Sequence, residues 1–291
     1  MSTVHSVGVN TWVWTSPLDD AGLRERIPAI AGQGFDVVEL PVENLGDWDP
    51  AEAKRLLGEH GLGASLVLVM PPGRELVRAE RATVAATQDY LRRCLDIAAQ
   101  LGAPALSGPA YASVGRTWRM TEGERAACVR EWREAVTPVV EHARDVGVVL
   151  GVEPLNRYET SLFNTVDQTV RAVAGLPSCG VALDIYHQNI EERDVAAAIR
   201  SAHGHIAHVQ VCANDRGTPG RDHFDWPELL AALADAGYTG PLCIESFTAH
   251  NNSIATAASI WRPLATSQDA LAVDGLCFLR EVMAQQRAPR N

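Results

Sequence analysis

The stretch VVEHARDVGVVLGVEPL, residues 139–155, holds one complete unit of the chain's organisation. Its first half reads as an amphipathic helix closed by Gly147, the residue type that accepts the positive φ of a helix C′ position. An apolar, β-branched run follows at once over 148–155 and carries a glutamate near its end, which reads as a buried strand. The same helix–glycine–strand order recurs in both directions. LRERIPAIAGQG (23–34), AKRLLGEHG (53–61), YLRRCLDIAAQLG (90–102) and LLAALADAG (229–237) all close on glycine just before an apolar run. Strands are expected at 5–14, 36–42, 64–70, 103–109, 148–155, 180–187, 205–212 and 241–247. Asp49 in DWDP and Thr121 in TEGE are N-cap candidates for two of the helices.

Eight βα units without an internal linker predict a single (β/α)8 TIM barrel domain over 1–291, and a chain of 291 residues covers the about 250 that such a barrel needs. A doubly wound open sheet is the alternative, but no GxGxxG follows the first strand. The segment after the eighth strand is longer than one crossover helix requires. A loop–helix excursion is expected at about 248–268 before the closing helix, as part of a lid or a subunit contact.

Composition narrows the function classes. A net charge of −11, from 25 basic and 36 acidic residues, argues against a nucleic-acid or anionic-membrane surface. No apolar run reaches the ~18 residues of a membrane span, and MSTVHSVGVNTWVW lacks the basic and apolar regions of a signal peptide, so a cytoplasmic protein is expected. Cys94, Cys128, Cys179, Cys212, Cys243 and Cys277 form no CxxC pair and read as reduced core residues. Lys54 is the only lysine and sits in a surface-type helix, so the chain has no lysine for Schiff-base chemistry in a pocket.

Parallel barrels place their chemistry at the C-terminal ends of the strands. There the last four strands carry Glu153, Asp184, Gln210 and Glu245, at spacings of one βα unit each. Carboxylates beside apolar neighbours, as in GVEPL, ALDIY and CIESF, are costly in a barrel interior unless paired or metal-bound. Any one of them alone reads equally well as a helix cap or an arginine partner. Together, three acids and an amide make an oxygen-rich site suited to Mn²⁺ or Mg²⁺. His208 shares a strand face with Gln210 and is expected inside the barrel, supporting the site or the core rather than ligating, whereas His203 and His205 fall in the preceding turn. Trp12, Trp14 and Trp118 are candidates for an apolar wall at strand ends one and four, with simple packing the alternative.

Four segments carry a family resemblance. EPLNRYE (153–159), LDIYHQNIEE (183–192), HVQVCANDRGTPG (208–220), and IESF (244–247) followed by SIWR (259–262) resemble the sugar isomerase/epimerase barrels related to xylose isomerase. Within these the chain is most similar to the D-tagatose/D-allulose (psicose) and L-ribulose 3-epimerases. The resemblance implies a xylose isomerase-like barrel with a divalent metal, Mn²⁺ or else Mg²⁺ or Co²⁺, held by Glu153, Asp184, Gln210 and Glu245. It further implies that Glu153 and Glu245 form the acid/base pair, and that Glu159, His187 and Arg216 hold the sugar. A dimer or tetramer is implied as well. Gln210 is a departure, because many 3-epimerases have His there and a Gln looks like the hydroxypyruvate-isomerase branch and some epimerase relatives.

Proton transfer at C3 of a free ketose through an enediolate is thus the expected reaction. An aldose–ketose isomerase, or a sugar lyase using the same site, is the alternative. In the loop CANDRGTPG with the Arg221 that follows it, and in SFTAHN (246–251), Arg216 and Arg221 are the only fixed cations, and no glycine-rich anion cradle lies there, so an unphosphorylated substrate is expected.

Overall fold

The eight apolar runs form eight short parallel strands that close on themselves in sequence order, β1 through β8 and back to β1. They are β1 Val7–Asn10, β2 Val37–Val42, β3 Gly63–Leu68, β4 Ala105–Gly108, β5 Val149–Val152, β6 Cys179–Asp184, β7 Ile206–Val211 and β8 Leu242–Ile244. This computed structural model describes residues 5–286; residues 1–4 and 287–291, which the single-domain expectation also spans, lie outside the described residues.

Helices cross over between the strands: α1 Asp20–Gln33, α2 Pro50–His60, α3 Arg81–Leu101, α4 Glu122–Val146, α5 Val166–Val173, α6 Ile185–Glu191, α7 Val195–Ser201 and α8 Trp226–Asp235. After β8 come the short α9, Asn252–Ala257, and the closing α10, Gln268–Gln285. Gly147 ends α4 at φ 76° and returns its N–H to Ala143 and Arg144, which turns the chain directly into β5. Glycine closes α1, α2 and α3 in the same way, whereas the C-cap of α8 is Ala236, one residue before Gly237. Thr121 caps α4 through a complete capping box with Glu124, and Asp49 caps α2.

Side chains alternate across each strand. Val38 and Leu40 on β2, Leu183 on β6 and Val209 on β7 belong to the continuous apolar core. Their neighbours Glu39, Asp184, His208 and Gln210 are also buried, in a polar barrel interior. Each fully buried Leu or Val side chain contributes on the order of 1.5–3 kcal/mol, so the apolar layer carries the stability that tolerates this interior.

The strands are shorter than the apolar runs suggest, mostly at their C-terminal ends. After Asn10 the chain turns into a 3-10 helix, Thr11–Val13, because the Asn10 side chain accepts the Trp12 N–H. After Asp184 it turns into α6, because Asp184 accepts the Tyr186 N–H and caps that helix. His187, expected at the end of strand six, therefore projects from the first turns of α6.

Candidate active site

A cavity of about 400 Å³ opens at the C-terminal mouth of the barrel. Its lining includes Glu153, Glu159, His187, Arg216 and Glu245, with Trp12, Glu43, Leu68, Met70, Tyr186, Phe247 and Ile254 among the remaining walls. Glu153 follows β5 directly, Asp184 ends β6, Gln210 lies next to the end of β7 and Glu245 follows β8 directly. All four are buried, Asp184 and Gln210 completely. The barrel register sets Asp184 beside Gln210, and their connection to Glu245 is direct: Gln210 Nε2 donates to Glu245 Oε1 at 2.9 Å.

Arg216 reaches into this group from the loop after β7, from a backbone with φ 70°. Its Nη1 donates to Asp184 Oδ2 at 2.5 Å and to Glu245 Oε2 at 2.9 Å, and its guanidinium stacks on Tyr186. His187 Nε2 lies 3.6 Å from Glu153 Oε1 and 3.5 Å from Asp184 Oδ2. The main-chain N–H of Asn156 donates to His187 Nδ1 at 3.1 Å, so the neutral ring carries its proton on Nε2, facing the cavity. Arg216 Nη2, 3.1 Å from that same nitrogen, meets it as donor against donor. Burial keeps His187 below the ordinary imidazole range and so favours this neutral form. Asn156 also donates from its side chain to Glu159 Oε1 at 2.8 Å, which fixes Glu159 on the cavity wall.

Burial, then the neighbouring charges of Glu245 and Asp184, push the Glu153 carboxyl well above the usual carboxylate range. Burial does the same to Glu245 against the pull of Arg216. A raised proton affinity of this kind is what a carboxyl needs to act as an acid or base at a functional site.

The donor set also fits a divalent cation. Glu153, Asp184 and Glu245 supply carboxylate oxygens. Gln210 Oε1 is buried with no hydrogen-bond partner among the described residues, and such an orphaned acceptor is offset by a bound cation. Glu153, Asp184 and His187 place one donor atom each within 4.8 Å of one another. Glu39, His208 and Cys243 do the same deeper in the barrel, but there both Glu39 oxygens are already filled by hydrogen-bond donors.

The structure thus brings together all seven residues singled out in the sequence. It does not bring the three tryptophans together. Trp12 lines the cavity, Trp14 is buried and donates to Asp269 on α10, and Trp118 is stacked by Arg116 and Arg78 outside it. Arg221 pairs with Asp274 at the surface, and Cys277 is exposed rather than in the core. Sequence reasoning missed Glu39, Glu43 and Asn156. Glu39 had the same signal as the others, a lone acid between apolar strand residues, but on β2 and away from the four strand ends considered.

The fold and the sequence have known relatives. The family model described as xylose isomerase-like TIM barrel matches residues 27–281. A probable ketose 3-epimerase of Synechocystis sp. is 34% identical over 280 residues, covering 94% of this chain and 95% of that protein. A ketose 3-epimerase of Arthrobacter globiformis is 32% identical, covering 94% and 96%. The crystal structure of a D-allulose 3-epimerase from Methylomonas sp., in complex with D-allulose, superposes with a TM-score of 0.86 at 28% identity, covering 97% of this chain and 99% of that one. No helix among the described residues is long and apolar enough to cross a membrane.

Proposed function

Because the chain belongs to the xylose isomerase-like TIM barrel family, we propose that it is a metal-dependent ketose 3-epimerase that acts on free ketoses. The observation that carries this reading is the pair Glu153 and Glu245. They are two buried carboxyls with raised proton affinity, set at the ends of strands three places apart round the ring, with one cavity between them. One takes the proton from C3 of the ketose and the other returns a proton to the opposite face, which inverts that carbon. Each such positioned acid or base is worth on the order of 10²–10⁴-fold in rate.

Glu153, Asp184, Gln210 and Glu245 would hold the cation, with Mn²⁺ as the ion and Mg²⁺ or Co²⁺ as substitutes. When bound, it would supply positive charge for the oxygens of the enediolate. His187 and Arg216 aim two donors at one point, and a substrate carbonyl oxygen placed between them accepts from both. The negative charge that grows on that oxygen is then met by preorganised donors. Glu159, held by Asn156, accepts from a hydroxyl at the same end of the sugar. Tyr186 and Phe247 flank the guanidinium and shield the proton transfers from water. We also propose a single barrel domain over 1–291, a cytoplasmic homo-oligomer, dimer or tetramer, measurable as mass in solution.

Incubation of a ketose with the Mn²⁺-loaded enzyme in D₂O tests the reaction. Deuterium is expected at C3 of both product and recovered substrate. Label at C1 with none at C3 would instead make the protein an aldose–ketose isomerase with the same acid/base pair.

A further inference from the structure

One layer deeper in the barrel than Glu153, Asp184 and Glu245 lies a carboxylate with no part in the proposed proton transfers. Glu39 of β2 is fully buried, and its two oxygens accept four hydrogen bonds. Oε1 accepts from His208 Nε2 at 2.6 Å and Ser65 Oγ at 3.3 Å. Oε2 accepts from Asn10 Nδ2 at 2.8 Å and Gln210 Nε2 at 2.8 Å. Asn10 and Ser65 sit on the strands that flank β2, in register with Glu39 itself, so the carboxylate is fixed by the barrel wall.

The consequence falls on Gln210. Its Nε2 donates to Glu39 and also to Glu245 Oε1 at 2.9 Å, so the amide NH₂ is gripped between two carboxylates. Turning the amide over would set Oε1 against two acceptor oxygens, so Oε1 stays on the side away from them, buried and without a hydrogen-bond partner among the described residues. A carboxylate ligand presents an oxygen whichever way it turns. A carboxamide presents an oxygen in one orientation and a hydrogen-bond donor, useless to a cation, in the other.

We propose that Glu39 is a positioning residue that, locked by Asn10, Ser65 and His208, clamps the Gln210 NH₂ and aims Gln210 Oε1 at the divalent cation. The proposal rests on the metal site described above and adds to it the residue that orients its neutral ligand. Groups that orient metal ligands typically contribute 10–100-fold to metal affinity.

Mn²⁺ affinity of the metal-stripped protein, read from the free-ion EPR signal, tests it as a double-mutant cycle. Glu39→Leu is expected to weaken Mn²⁺ binding about 10–100-fold when residue 210 is Gln. In a Gln210→Leu background the same change is expected to cost less than about threefold, because no amide is left to aim. Equal losses in both backgrounds would show a general structural role and overturn the proposal. Wild-type protein that bound no Mn²⁺ would instead remove the metal reading. A second measurement needs neither the leucine variant at 39 to fold nor metal to bind. In metal-stripped protein carrying ¹⁵N-glutamine, the Gln210 side-chain NH₂ is identified by its absence from the Gln210→Leu spectrum. Both of its protons are expected to be protected from exchange with water. An NH₂ that exchanges with water as fast as those of exposed glutamines would overturn the clamp.

Discussion

In the proposed mechanism Glu153 and Glu245 would do two jobs at once, holding charge next to Asp184 and carrying protons, and amide substitution separates these jobs. Glu153→Gln or Glu245→Gln keeps an oxygen at each position but cannot carry a proton. Each is expected to lower kcat by about 10²–10⁴-fold while Mn²⁺ still binds and the melting temperature stays within a few degrees. Steady-state kinetics with calorimetric melting checks this, and normal turnover by Glu245→Gln would end the two-base assignment. Gln210→His is expected to retain the metal, since an imidazole nitrogen is also a neutral ligand. His187 shows how much one residue depends on a neighbour: the fixed N–H of Asn156 sets its tautomer, and only that tautomer turns a donor toward the cavity.

At the level of elements, the ends of the strands matter more than their middles. Asp184 terminates β6, caps α6 and accepts from Arg216, so a single side chain joins the helix carrying His187 to the loop carrying Arg216. Gly108 plays a comparable part at the end of β4. Its carbonyl accepts the Glu153 N–H at 3.0 Å, its φ is 141°, and a Cβ there would stand 2.8 Å from the backbone oxygen of Leu68. Gly108→Ala is therefore expected to destabilise the protein by about 2 kcal/mol or more, and to lower kcat by displacing Glu153. Urea unfolding together with kcat measures both, and wild-type values would show that the turn tolerates a side chain. The excursion after β8 places Ile254, Ala257 and Ala258 on the cavity wall, so α9 contributes to the shape of the site.

For the molecule as a whole, charge sets what can enter. Among the residues lining the mouth cavity, Glu43, Glu153, Glu159 and Glu245 face a single guanidinium, that of Arg216. Removing metal with a chelator is expected to abolish activity and added Mn²⁺, Co²⁺ or Mg²⁺ to restore it, because clustered carboxylates need a cation to stay ionised together. Full activity in stripped protein would refute that. Among the described residues lining this mouth no Lys or Arg besides Arg216 is present to take a phosphate, and Arg221 is engaged with Asp274 at the surface. The kcat/KM for a ketose is thus expected to exceed that for its phosphate ester by at least about tenfold, following the repulsion between like charges at close range. Preference for the ester would place an anion site where the structure has acids.

Periodicity and punctuation carried the fold. Apolar runs closed by glycines such as Gly147 specify strands and helix ends locally, and eight such units in order leave a closed parallel ring as the economical way to bury every strand. Burial cost likewise made Glu153, Asp184 and Glu245 legible, since an acid among β-branched residues must have a partner. What the sequence could not supply was direction and distance. The positions of the tryptophans depend on which way the chain leaves each strand. That is decided by side-chain caps such as Asn10 and Asp184, which compete with strand periodicity over only a residue or two. The polar layer of Glu39, Asn10, Ser65 and His208 joins residues up to 169 positions apart. Only closure of the barrel brings β2 within hydrogen-bonding reach of β7, and with it the carboxylate that determines which end of the Gln210 amide faces the site.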